Sequence, residues 1–385
     1  MGNFKELIKD LKYSLDNDLL INVYQNNSTI FYTGIVSAID NFGAIIVTFN
    51  EYGLSDGLVY LTFGDIEEVD FYSEDLSKME GRIQLARKIK LYGVTPENFK
   101  LNRKTDLLTQ ILGSSFVEQQ PIMVVTIYGI MYEGFIVSLG DQVVTIRTID
   151  KFNNENYQEI ELTKNEIRLV EFLGQELKLI SQSKKVLYSK HLEVNEYRNL
   201  IQIYANLHVA KESGKRVIMV PKNNPSLFFI GQVVSINNES VIFKTVDMAG
   251  QFGGYELIKL KDIQRVILKN DYLRLVNHFV TLNLANGNYI QPVLNDDRIF
   301  DETIDPFEFM IRQSINFKRV IRIKKGNCDS AVGFPISFDG NKVQFDVVDD
   351  AKLFVNKRIS FGLEELSEIA FDYLDCYLIE KQIQQ

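Results

Sequence analysis

Apolar and polar residues alternate along this chain in short runs, and one such run recurs four times. It reads GIVSAIDNFGAIIVTFN at 34–50, GFIVSLGDQVVTIRTID at 134–150, GQVVSINNESVIFKTVD at 231–247 and GFPISFDGNKVQFDVVD at 333–349. A period of two marks strands with one buried face. The anchoring glycines, Gly34, Gly134, Gly231 and Gly333, lie 100, 97 and 102 residues apart. Sixteen residues after each comes Asn50, Asp150, Asp247 or Asp349, a residue type that favours the turn closing a strand. Further on stand Asp65-Ile66, Glu166-Ile167, Asp262-Ile263 and Glu365-Leu366, whose apolar members lie 32 or 33 residues beyond the glycine. Three landmarks in register over four copies define an internal repeat.

Each copy predicts five short strands. In the third they are RVIMV, LFFIGQVVSI, SVIFKTVD, YELIKLKD and IQRVILK; the fourth gives KRVIRIK, AVGFPISF, KVQFDVV, KRISFGLEE and LSEIAF. Five short strands in so few residues favour a small closed or nearly closed barrel, whose long second strand must bend. A glycine inside a strand packs nothing, so the bend or a close backbone approach is its physical reason.

A helical pattern precedes each copy: NFKELIKDLKYSLDND with Leu7, Leu11 and Leu15 on one face, KTDLLTQILGSS (104–115), NEYRNLIQIYANLHVAKESG (195–214) and DPFEFMIRQSIN (305–316). In the last, Asp305 and Pro306 sit as cap and first-turn proline. Helices are also expected over 73–89 and 175–190. The expected architecture is mainly β with α: four tandem small five-stranded barrels, each preceded by a helix and joined by helical linkers. Helix plus barrel would occupy 1–76, 104–178, 195–276 and 303–385, with helical linkers at 77–103 and 179–194 and a further linker at 277–302.

A length of 385 residues with 45% hydrophobic and 24% charged residues fits a globular chain of several domains. The formal net charge of −9 argues against a generic basic surface for duplex nucleic acid. Cys328 and Cys376 are too few for a disulfide framework or a metal cage. No run is apolar enough to cross a membrane, and Glu6 stands where a myristoylation signal wants Ser or Thr. The expectation is a cytoplasmic chain with no membrane partner.

A helix followed by five strands, with a bend glycine in the second, resembles the Sm-like small β-barrel, and Src-homology-type barrels share much of that strand pattern. The Sm-like resemblance implies a single-stranded RNA site, lined by an aspartate six residues after the glycine and an asparagine ten residues after it. Asp40 and Asp339 match the aspartate, while Gly140 and Asn237 replace it in the second and third copies. At plus ten stand Ala44, Val144, Ile242 and Val343, and no Arg-Gly or Lys-Gly element follows any fourth strand. The resemblance therefore carries the fold and not the family's uridine pocket.

Catalytic motifs are missing. The sequence has no phosphate loop, GxGxxG, HExxH, GxSxG or CxxC, and His191, His208 and His278 are scattered. No catalysis, cofactor or metal is expected. Two features point to partners instead. Lys215, Arg216, Lys318, Arg319, Arg322, Lys324 and Lys325 crowd the first strands of the third and fourth copies, where they could meet phosphates of a single strand. Tyr52, Phe152, Phe252 and Phe354 recur in the loop between the third and fourth strands, placed like anchors for a protein. The leading expectation is a non-catalytic scaffold that binds a protein partner through barrel edges or loop tips, one barrel's fourth strand also being able to meet the next barrel's fifth. The alternative is single-stranded RNA or DNA binding through the basic strands. Oligomeric state is left open.

Overall fold

The computed structural model describes residues 2–26, 31–91, 93, 105–289, 300–326, 330–349 and 354–383. Cys328 and parts of the expected linkers 77–103 and 277–302 lie outside the described residues. The chain divides into two compact units, Met1–Lys190 and His191–Gln385. The boundary falls inside the expected linker 179–194.

In the first unit helix α1 (Gly2–Asn17) leads into β1 (Leu20–Gln25), β2 (Phe31–Ile39), β3 (Gly43–Phe49), β4 (Ser55–Thr62) and β5 (Ile66–Asp70). Helices α2 (Glu74–Lys88) and α3 (Leu107–Glu118) precede β6 (Pro121–Thr126), β7 (Met131–Leu139), β8 (Val143–Thr148), β9 (Glu159–Thr163) and β10 (Ile167–Phe172). Helices α4 (Gln175–Gln182) and α5 (Lys184–Leu187) follow. All ten strands form one antiparallel sheet in the order β5-β1-β2-β3-β4-β10-β6-β7-β8-β9.

The second unit repeats this plan. A short strand β11 (Asn195–Tyr197) and helix α6 (Leu200–Ser213) precede β12 (Arg216–Pro221), β13 (Phe229–Ile236), β14 (Ser240–Val246), β15 (Phe252–Lys259) and β16 (Ile263–Lys269). Helices α7 (Asp271–Ala285) and α8 (Pro306–Phe317) come before β17 (Ile321–Lys325), β18 (Ala331–Phe338), β19 (Lys342–Asp349), β20 (Phe354–Gly362) and β21 (Leu366–Phe371), and α9 (Leu374–Ile383) ends the described chain. The sheet order is β11-β16-β12-β13-β14-β15-β21-β17-β18-β19-β20.

The chain is thus mixed α/β, with two large antiparallel sheets, each made of two five-strand runs joined edge to edge, the second carrying β11 as an eleventh strand beside β16. Closure of a run on itself, expected from the strand lengths, is not among the described pairings. The fourth strand of the leading run spends its free edge on the fifth strand of the following one, as β4 with β10 and β15 with β21. Three local corrections accompany this. Residues 195–197, expected as helix, pair with β16, whereas α7 and α9 form where no helix was expected. In α7, Asn270 caps Leu273, and an apolar face of Tyr272, Val276, Phe279 and Val280 is buried.

The recurring glycines act as backbone clearances. A Cβ on Gly34, Gly134, Gly231 or Gly333 would overlap the carbonyl oxygen of Val47, Arg147, Lys244 or Asp346, in each case thirteen residues on and across the sheet. Between the second and fourth residues after each glycine the register with the next strand shifts, between Val36 and Ala38, Ile136 and Ser138, Val233 and Ser235, and Pro335 and Ser337. Such a bulge kinks the strand and raises its twist. Three of the four residues sixteen on from the glycines also behave as turn formers: Asn50 Oδ1 accepts from Tyr52 N and Leu54 N, Asp150 Oδ1 from Phe152 N and Asn153 N, and Asp247 Oδ1 from Gln251 N.

Apolar cores run through the joints. One packs Ala38, Ile45, Leu58 and Tyr60 of the first run against α3 and Ile122, Val144 and Phe172 of the second. Another packs Phe252, Tyr255 and Leu257 against α8 and Ile321, Phe345 and Phe371. Each fully buried side chain of this size contributes roughly 1.5–3 kcal/mol. The two runs of a sheet therefore stabilise one another.

Candidate interaction site

At the second joint, β15 meets β21 with Glu256 facing Ala370 and Leu257 facing Ile369. Tyr255 stacks on Phe371 with centroids 5.2 Å apart and planes 14° from parallel. Beneath this apolar layer lies a charged one. Glu256, 3% exposed, accepts from Arg322 Nη2 at 3.0 Å, and the guanidinium also lies 5.6 Å over the Tyr373 ring. Glu368 faces Lys324 at 4.0 Å and accepts from Asn223 Nδ2 at 3.2 Å. Burial pushes the Glu256 carboxyl up to about 7, with Arg322 opposing the shift and Glu368 reinforcing it.

The first joint uses different chemistry in the same place. There β4 meets β10, with Leu61 facing Leu169 and Val59 facing Glu171. The Tyr32 hydroxyl donates to Glu171 Oε1 at 2.5 Å, and burial raises the Glu171 carboxyl above the usual range. Nearby, Lys151 Nζ lies 2.8 Å from Glu133 and 2.7 Å from Glu176.

Both joints rest on glycines that were not singled out in the sequence. Gly57 on β4 has φ +91° and lies against Gly174, and Gly254 on β15 has φ +84° and lies against Tyr373, so a Cβ at either would collide. Each stands 23 residues after its bend glycine. Around the same place stand Tyr157-Gln158, just before β9, and Asn356-Lys357 within β20. The glycine is present where a fourth strand is covered and absent where it is a sheet edge, a signal readable by aligning the four copies.

The basic residues expected to meet phosphates are mostly engaged by carboxylates. Arg319 faces Asp372 at 3.6 Å and Glu380 at 3.2 Å, Arg322 bonds Glu256, Lys324 faces Glu368, and Lys325 lies 3.6 Å from Glu365. Arg216 donates to Asn277 on α7 at 3.1 Å. Lys215 and Lys318 are exposed, on either side of different helix–strand turns. These seven residues do not form one uncovered basic strip.

The four loop aromatics also part company. Phe152 and Phe354 are exposed, at 53% and 49%, and Tyr52 is half-buried. Phe252 is 5% exposed and belongs to the joint core, so it is no exposed tip: it opens β15, whose face is covered by the following run. A different exposed apolar cluster, Ile127, Tyr128, Ile130 and Met131, occupies the β6–β7 turn.

A cleft of about 790 Å³ lies within the second unit, between the start of α6 and the start of α8, lined by Leu200, Ile201, Tyr204, Phe307 and the Lys259–Lys261 turn among others. Lys259 Nζ donates to the Glu364 carbonyl at 3.0 Å and sits 5.2 Å over the Phe307 ring. Among the described residues the cleft lining includes Lys259, Lys261, Glu239, Asp305 and Glu364 and no Ser, Thr, Cys or His. Among the described residues no group of three or more His, Cys, Asp or Glu is placed to hold a metal. His191 bonds Asp271 at 2.6 Å, His208 packs on Tyr204, and Cys376 is buried with its thiol pushed up by burial. No described helix is long and apolar enough to cross a membrane.

No protein-family model matches the chain, and no curated protein matches it.

Proposed function

We propose that each five-strand run is a small Sm-like barrel left open at its fourth and fifth strands, and that the chain is a non-catalytic scaffold binding a protein through those edges. The observation that carries this reading is that β4 and β15 are covered by another run while β9 and β20 end their sheets. A strand at a sheet edge presents unpaired backbone donors and acceptors and recruits another strand. Two such unions already exist inside the chain and have the same form.

Site-specific photo-crosslinking tests the proposal. A photoreactive residue placed at Glu161 on β9 or Asn356 on β20, in cells, is expected to form adducts with protein, and one at Asn206 on the outer face of α6 is not. If neither edge forms a protein adduct and the purified chain instead binds a single-stranded oligonucleotide at low salt, the nucleic-acid reading replaces this one.

A further inference from the structure

We propose that the cleft between the start of α6 and the start of α8 binds an aliphatic carboxylate, its chain lying on the apolar walls and its head group meeting Lys259. The site is distinct from the strand edges and does not depend on what they bind.

A comparison of the two units shows how the space arises. Helices α1 and α6 align on their buried residues, Leu11 and Ser14 of the first answering to Leu207 and Ala210 of the second. Seven residues before the buried leucine stand Phe4 and Leu200. Eight residues after the bend glycine stand Phe42 and Glu239, and twenty-nine after it Phe63 and Leu260. The backbone makes the same match, since Phe63 N donates to the Phe42 carbonyl and Leu260 N to the Glu239 carbonyl. In the first unit Phe4 packs edge-on against Phe63, with centroids 5.7 Å apart. The second unit has two leucines and a glutamate in place of the three rings, and there the cleft of about 790 Å³ lies. Small-ligand sites are typically concavities of roughly 300–1,000 Å³ with apolar walls and a few polar groups.

The walls suit an aliphatic chain. Leu200 and Ile201 leave apolar surface open to solvent, at 50% and 79% exposure, and Tyr204, Phe307 and Leu363 continue the lining. The charge set deepest among them is a cation. Lys259 is half-buried, its ammonium 5.2 Å from the Phe307 ring centroid and donating to the Glu364 carbonyl, and burial holds it below the ordinary lysine range. Among the described residues Lys259 makes no ion pair, unlike Arg319, Arg322, Lys324 and Lys325. The lining carboxylates of Glu239, Asp305 and Glu364 belong to exposed residues, where water and salt screen them. Asp305 is also committed to Glu308 N at the head of α8, and Glu364 lies against Gly362. A bound carboxylate gives the half-buried ammonium the charge-assisted partner it lacks, while the chain removes Leu200 and Ile201 from water.

Isothermal titration calorimetry on the full chain tests this with decanoate and decylammonium, which share a chain and differ in charge, each kept below its micelle concentration. Decanoate is expected to bind, and decylammonium about tenfold more weakly or worse. Lys259→Met should weaken decanoate by about tenfold and narrow that preference. Leu200→Phe with Glu239→Phe installs, at two exposed positions, the residues that the first unit carries. It should close the cleft and weaken decanoate by about tenfold or more while the melting temperature holds. Because this pair also removes a negative charge, electrostatics alone would tighten the anion, so a loss reports the lost space. No heat from decanoate, decylammonium binding as tightly as decanoate, or a double variant that binds decanoate like the native chain overturns the inference.

Discussion

Arg322 on β17 donates to Glu256 on β15, so the guanidinium of the fourth run is held by a buried carboxylate of the third. A residue that looked from the sequence like a phosphate contact is a tie across the joint. Removing Arg322 leaves the buried Glu256 carboxyl, protonated below about pH 7, without its hydrogen-bond donor, which costs about 1–3 kcal/mol. Arg322→Met should lower the urea midpoint of the His191–Gln385 unit accordingly and leave any binding of single-stranded oligonucleotide unchanged. A large loss of oligonucleotide binding with unaltered stability would contradict this assignment.

Glu256 also makes stability depend on pH. Its carboxyl is raised from an ordinary value of 4.5 to about 7 in the folded chain. Between these values the folded chain holds a proton that the unfolded chain has released, so this group's contribution falls as pH rises through that window and levels off above it. Denaturation midpoints of the second unit should decline from pH 5 to pH 8. Glu256→Gln, which cannot titrate, should flatten that decline.

The glycines at the joints should tolerate side chains poorly. Gly254→Ala adds a Cβ against Tyr373 at positive φ, and a cost of about 2–4 kcal/mol is expected from steric overlap and backbone strain together. Gly129→Ala, also at positive φ but with nothing near its Cβ, should cost only about 1 kcal/mol. Thermal melts of the two variants compare clash with strain alone.

The loop aromatics offer a third contrast. Phe252→Ala empties part of the joint core and should cost about 3–5 kcal/mol. Phe152→Ser and Phe354→Ser change exposed rings and should fall within about 0.5 kcal/mol of the native chain. If the exposed pair anchors a partner, those two substitutions weaken its binding while the melts stay level.

The repeat itself was legible in the sequence, because each of its signals is local. Bend glycines, turn formers at 50, 150 and 247, and the helices of α1, α2, α3, α6 and α8 all follow from what one residue and its near neighbours demand: clearance from a carbonyl, an Asx turn, a capped apolar face. The signal at α7 was as strong, with Asn270 as cap and Tyr272, Val276, Phe279 and Val280 in helical register, but it lay where a linker was expected. The short strand at 195–197 was hidden by the helix pattern beside it.

Composition and period thus determined strands, bends and fourfold duplication, since those depend on alternation and on the space around single backbone positions. Which edge meets which was settled only in three dimensions. Pairing the runs as two doublets, burying Phe252 while leaving Phe152 and Phe354 in solvent, and neutralising Arg319, Arg322 and Lys324 all arise from contacts between residues tens of positions apart. A strand carries no local mark of its neighbour beyond a permissive glycine such as Gly57 or Gly254, because backbone hydrogen bonds at a sheet edge are the same for every sequence.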